Sequence, residues 1–165
     1  MENSNFNWDA VSFFEDLTAK NKLAQSKGYR FCRVSGLRGL EEYINNMQSV
    51  TCAVCASDIA AGTTQLDNTP HTRRVKTVYM LHRHRLGDMQ ARQRCMEEMR
   101  ELFRQFMTKL ILERTRISQG PIYIDPRIQF TEIDEYFAAG CALAYFQIAV
   151  DVYTDLRVNN DEWLS

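Results

Sequence analysis

The stretch CALAYFQIAVDVYTDL (141–156) restricts the fold more than any other part of the chain. Ala144, Phe146, Ile148, Val150 and Val152 fall on one side of an extended backbone. Tyr145, Gln147, Ala149, Asp151 and Tyr153 fall on the other. A two-residue period held over this length marks a half-buried strand of unusual length.

One helical pattern answers it. Gly87-Asp88 ends an apolar run, and Asp88 is placed to cap a helix that continues to about Arg116. Met89, Met96, Met99, Phe103, Phe106 and Leu110 recur at spacings of three, four and seven. That stripe packs on a sheet or on another helix. Arg92, Arg94, Arg100, Arg104 and Lys109 lie mostly off it.

The remaining elements are shorter. NWDAVSFFEDLTAKNKLA (7–24) carries Trp8, Val11, Phe14 and Leu17 at helical spacing, with Phe13 beside them. Asn7 is a candidate cap, Asp9 adds acid to the first turn, and Gly28 is a stop. YRFCRV (29–34) suits a short strand. LRGLEEYINNM (37–47) shows Leu37, Leu40, Tyr43, Ile44 and Met47 on one helical face. SVTCAVCAS (49–57) and RRVKTVYMLHRHRL (73–86) read as strands flanking a loop, and so as a long hairpin. Turns at Gly120-Pro121 and Asp125-Pro126 precede a strand from about Arg127. Hairpins dominate and no βαβ series shows. The expectation is one α+β domain over 1–165, a mostly antiparallel sheet packed against the long amphipathic helix and the N-terminal helix.

The loop Asp58–Thr72 has no period and is rich in Gly, Thr, Asn and Pro. Loops of that length are usually functional or mobile. The expectation is a partner-contacting segment, ordered when a partner buries Ile59, Leu66 and Pro70.

Charge is uneven along the chain. From His71 to Arg116 there are twelve Lys or Arg against five Asp or Glu; from Pro121 to Ser165 there are two against eight. A basic middle and an acidic end can neutralise each other within a subunit or register one subunit on the next. Arg92, Arg100 and Arg104 on the basic side, and Asp151 and Asp155 on the acidic side, are the candidate interface residues. No apolar run of about 18 residues suits a membrane span. The opening MENSNFNWDA lacks the basic and apolar regions of a secretory signal, so a reducing cytoplasm is expected. Five cysteines, odd in number and irregular in spacing, argue against a disulfide framework.

No catalytic constellation emerges. Cys52 and Cys55 form a lone C-x-x-C with no second pair, and on a strand they point to opposite faces, which is wrong for one metal. His82 and His84, with His71, could ligate a metal, but a polar strand end is the simpler reading. There is no Gly-rich phosphate loop, G-x-S-x-G or H-E-x-x-H. Asp134 and Glu135 are paired acids without a base or nucleophile beside them. The expectation is no catalytic residue, no metal and no cofactor.

The order of elements resembles the tail-terminator and tail-completion proteins of long-tailed bacteriophages. The likeness rests on the N-terminal helix, the hairpin with its long loop, the amphipathic helix after HRHRLGD, and the strand AYFQIAVDVYTD. LRGLEEYINNM departs from the simplest version of the pattern, which keeps neck-connector and contractile-system proteins in view. The resemblance implies a structural virion protein, not an enzyme. It implies a homo-oligomeric ring, often a hexamer, that meets the tail tube and neck or connector proteins at the head–tail junction. Such a protein is assembled in the host bacterial cytoplasm, and DNA passing its lumen is a non-specific contact. The alternative is a small nucleic-acid-binding module using the basic 71–116 segment.

Overall fold

The computed structural model describes residues 8–46, 49–67, 69–133 and 140–164. Two strands of thirteen residues, β4 (His71–Arg83) and β7 (Cys141–Tyr153), pair antiparallel along their whole length, from His71 opposite Tyr153 to Arg83 opposite Cys141. They are the spine of a seven-stranded sheet. On one flank, β2 (Cys52–Ser57) pairs with the far half of β4, and β3 (Ala61–Thr64) with its near half. On the other flank, β6 (Gln129–Ile133) and β5 (Ile122–Ile124) share β7 in the same way. β1 (Arg30–Val34) lies parallel to β2, with α3 (Gly36–Asn46) crossing between them. The sheet is thus mostly antiparallel, as expected, with one βαβ unit that the hairpin-dominated reading leaves out.

The period-two pattern of β7 decides which face each helix takes. Its even-numbered residues and those of β4 meet α1 (Ala10–Lys20) and α4 (Met89–Ile117). Phe14, Phe106 and Phe146 are buried there, with the Phe14 ring centroid 5.8 Å from Phe106 and 5.2 Å from Phe146. The odd-numbered residues Tyr79, Leu81 and Leu143 form a second cluster with Leu40 of α3, Val34 and Val50. That cluster reaches only as far as Tyr79 and Tyr145. Arg73, Val75, Thr77, Gln147, Ala149 and Asp151 continue the same face beyond it.

Local chemistry explains the boundaries. Asp88 caps α4, its carboxylate accepting from the Ala91 amide at 2.9 Å. Asp9, not Asn7, caps α1, accepting from the Val11 and Ser12 amides; Asn7 lies outside the described residues. The first helix is broken at Asn21. Its side-chain oxygen takes the Ala24 amide at 2.8 Å to start α2 (Lys22–Lys27), while its amide donates to Gln105 of α4 at 2.8 Å. Gly28 then stops α2 in the left-handed region at φ 79°.

Three expectations are corrected. The 58–72 stretch is not all loop, because β3 hydrogen-bonds to β4 within it. Its approach requires Gly62, since a Cβ there would sit 1.8 Å from the Arg73 carbonyl oxygen. β5 is a strand between the two expected turns. Met89, expected in the helical stripe, is exposed, whereas Cys95 and Leu102 join the core.

Candidate functional site

Among the described residues, the densest convergence of polar chemistry is centred on Glu98. Glu98 lies on α4 beside the core stripe. His82 ends β4 on the same face, and Gly28 turns the chain so that Tyr29 follows it inward. The Tyr29 hydroxyl donates to Glu98 Oε1 at 3.0 Å, and His82 Nδ1 is 3.0 Å from the same oxygen. Lys27 Nζ lies 3.3 Å from Oε2. The Tyr29 and His82 rings meet edge to face at 5.9 Å. Burial, followed by the Glu98 carboxylate, raises the Tyr29 phenol far above its ordinary range. Burial with the same carboxylate pushes the Cys52 thiol up to about 11. Tyr29 and Glu98 satisfy each other, and the Tyr29 phenol and Cys52 thiol stay protonated where a nucleophile would have to ionise. The cluster therefore ties the α2–β1 turn, β4 and α4 together rather than presenting an activated group.

The sequence-level metal candidates are dispersed. His71 sits at the opposite end of β4 from His82, and its ring packs on Tyr153. His84 Nδ1 lies against the Arg85 carbonyl. Cys52 faces the main core and Cys55 the cluster under α3, as their strand spacing predicts. No group of three or more His, Cys, Asp or Glu among the described residues is placed to hold a metal. Asp134 and Glu135 lie outside the described residues. Burial raises the Cys55 thiol further than that of Cys52. A thiol reagent at mildly alkaline pH is therefore expected to label half-buried Cys32 first, and Cys52 and Cys55 only on unfolding. Mass spectrometry of partly labelled protein checks this, and rapid native labelling of Cys52 is the opposing result.

The proposed interface charges are all engaged inside the subunit. Arg92 donates to the Ile133 carbonyl at 2.7 Å. Arg100 makes a two-pronged pair with Glu132 at 2.7 and 2.8 Å, and Arg104 pairs with Glu101. Arg73 bridges Asp125 at 2.5 Å and Asp151 at 2.7 Å, and Arg157 pairs with Asp155. The Arg73 hydrogen bond holds the Asp125 carboxyl below the usual carboxylate range. Of the twelve Lys and Arg in 71–116, Arg73, Lys76, Arg100, Arg104 and Arg116 are held in ion pairs within the chain, and Arg83, Arg92 and Arg114 donate to its backbone carbonyls. Arg74, Arg85, Arg94 and Lys109 are the members whose side chains have no ion pair or hydrogen bond among the described residues. Of the two readings of the charge split, neutralisation within the subunit is the one that the Arg73–Asp125, Arg73–Asp151 and Arg100–Glu132 pairs follow.

What the surface does present is apolar. Ile59 and Leu66 are exposed on either side of β3. Pro70 is half-buried, and its carbonyl accepts the Thr154 amide at 2.9 Å. That bond is the last tie of the sheet to the segment after β7. Beyond it, Val158 is 81% exposed, Trp163 72%, and Leu164 fully so. On the outer side of α4, Ile111 and Leu112 are 61% and 63% exposed. The sequence signal for that patch is the run Leu110-Ile111-Leu112, of which one residue serves the core stripe and two do not.

No helix among the described residues is long and apolar enough to cross a membrane. No protein-family model and no curated protein matches this chain.

Proposed function

We propose that the protein is a structural subunit that assembles into a homo-oligomeric ring, of the kind formed by tail-terminator and tail-completion proteins at the head–tail junction of long-tailed bacteriophages. The observation that carries this reading is the pair of exposed apolar surfaces outside the subunit core: Val158, Trp163 and Leu164 after β7, and Ile111 and Leu112 on α4. Large apolar side chains left uncovered outside the core are what a partner subunit could bury. Two different patches on one chain suit head-to-tail contacts, which close into rings when the rotation allows. The polar chemistry is compatible, because the Glu98 cluster is satisfied internally and presents no activated nucleophile among the described residues.

In this reading the protein is not an enzyme. It resides in the virion, in the tail or neck, after assembly in the host bacterial cytoplasm. Its partners are further copies of itself, the tail tube and connector proteins. Ile59 and Leu66 lie at the β3 hairpin, where a neighbouring ring would meet them. The nucleic-acid-binding alternative draws less support, because eight of that segment's twelve Lys and Arg already bind groups of their own chain, five of them in ion pairs and three on backbone carbonyls.

Light scattering coupled to size exclusion, followed by negative-stain electron microscopy, tests the proposal. The expected result is one closed ring species of fixed stoichiometry. A monodisperse monomer at the highest soluble concentration would overturn it.

A further inference from the structure

Beyond Thr154, the segment after β7 makes no hydrogen bond or ion pair to another element among the described residues. Thr154 is the last residue tied to the sheet, through the Pro70 carbonyl and the Thr72 hydroxyl. Residues 155–159 follow without regular structure, and a short 3-10 turn at Asn160–Glu162 leads into Trp163. Val158, Trp163 and Leu164 all face solvent. Asp155 is neutralised by Arg157. Asp161 and Glu162 have no ion pair among the described residues, so two free negative charges sit directly before the apolar Trp163-Leu164 pair.

The complementary feature lies on α4. Ile111 and Leu112 are exposed on its outer side, and Lys109 lies one turn from Leu112. Lys109 has no ion pair among the described residues. An apolar pair flanked by a free cation is the counterpart of an apolar pair preceded by free acids. Residues 155–159 extended span about 17 Å before the 3-10 turn.

We infer that residues 155–164 form an arm that docks on the outer face of α4 of a second copy, with Trp163 and Leu164 over Ile111 and Leu112 and with Asp161 or Glu162 near Lys109. This deepens the ring reading and rests on it: the arm is the heterologous contact that joins consecutive subunits. Arm and receiving face are different surfaces, so every subunit gives one contact and takes one. The apolar anchor supplies most of the hold and the charges supply register, so added salt should weaken the contact only modestly.

Two measurements test it on the full chain. First, a photo-crosslinking benzoylphenylalanine is placed at 163, and isotopically light and heavy chains are mixed, dissociated and reassembled. The expected product is a light–heavy crosslink to the α4 peptide containing Leu112. A crosslink confined to single chains would mean that the arm folds back on its own helix, and crosslinks elsewhere would place it on another surface; either overturns the inference. Second, the oligomer is sized for the wild type, for a chain ending after Thr154, and for Leu112→Glu. Leu112 is exposed, so its substitution should leave the fold intact. Both variants should raise the dissociation constant by at least about 10-fold. A ring that survives both variants sinks the arm and leaves the ring reading standing. A wild-type monomer removes both.

Discussion

Replacing Phe146 with alanine should cost about 3–5 kcal/mol, the range for deleting a fully buried aromatic side chain. Phe146 sits midway along β7, opposite Val78 of β4 and Phe130 of β6. Its ring lies edge to face with Phe14 of α1 and Phe103 of α4, each 5.2 Å away between centroids. The side chain therefore joins the spine of the sheet to both helices that cover it. Alanine would lose that buried area and those aromatic contacts, and would leave a cavity between three elements that cannot all close in together. Urea denaturation followed by far-ultraviolet circular dichroism should show a large fall in the midpoint with an unchanged slope. Phe130→Ala provides the comparison, because Phe130 is 63% exposed and its loss should cost much less. Equal effects at the two positions would mean that the core does not centre on Phe146.

The face that Phe146 takes is legible in the sequence because the signal is local. A strict alternation over 141–156 assigns each side chain of β7 to a face, and Asp88 with the apolar stripe behind it places α4. The parts that were not readable depend on partners distant in the chain. β3 has no buried residue and no apolar alternation, so only its hydrogen bonds to β4 reveal it. β5 is three residues long and exists because β7 has an unpaired stretch to fill. Asn21 interrupts a continuous helical pattern because its amide finds Gln105, 84 residues away. Charge counting located a basic segment and an acidic one correctly. It could not see that Arg73 would span Asp125 and Asp151, or that Arg100 would close on Glu132. Net charge along a sequence bounds what a surface can present, and folding decides how much of it remains free.

The Glu98 cluster was equally hidden, since Tyr29, His82 and Glu98 come from a turn, a strand and a helix far apart in the chain, and it supports the second large prediction. Glu98→Ala is expected to cost about 3 kcal/mol, because it strands two partners at once. The Tyr29 hydroxyl has no other hydrogen-bond partner among the described residues, and His82 Nδ1 faces the same vanished oxygen. Tyr29 is buried, so water cannot fully replace the lost acceptor. Glu98→Gln keeps the volume and an accepting oxygen, and should fall between alanine and the wild type. Arg104→Ala, also on α4, removes only an exposed pair with Glu101 and should leave the melting temperature nearly unchanged. A double-mutant cycle isolates the bond itself. Tyr29→Phe removes only the hydroxyl, so once Glu98 is alanine that change should lose most of its cost. A coupling of about 1–2 kcal/mol between the two substitutions is the expected reading. Strict additivity would mean that the hydroxyl and the carboxylate act independently, and that Glu98 stabilises the α2–β1 turn only through its pair with Lys27.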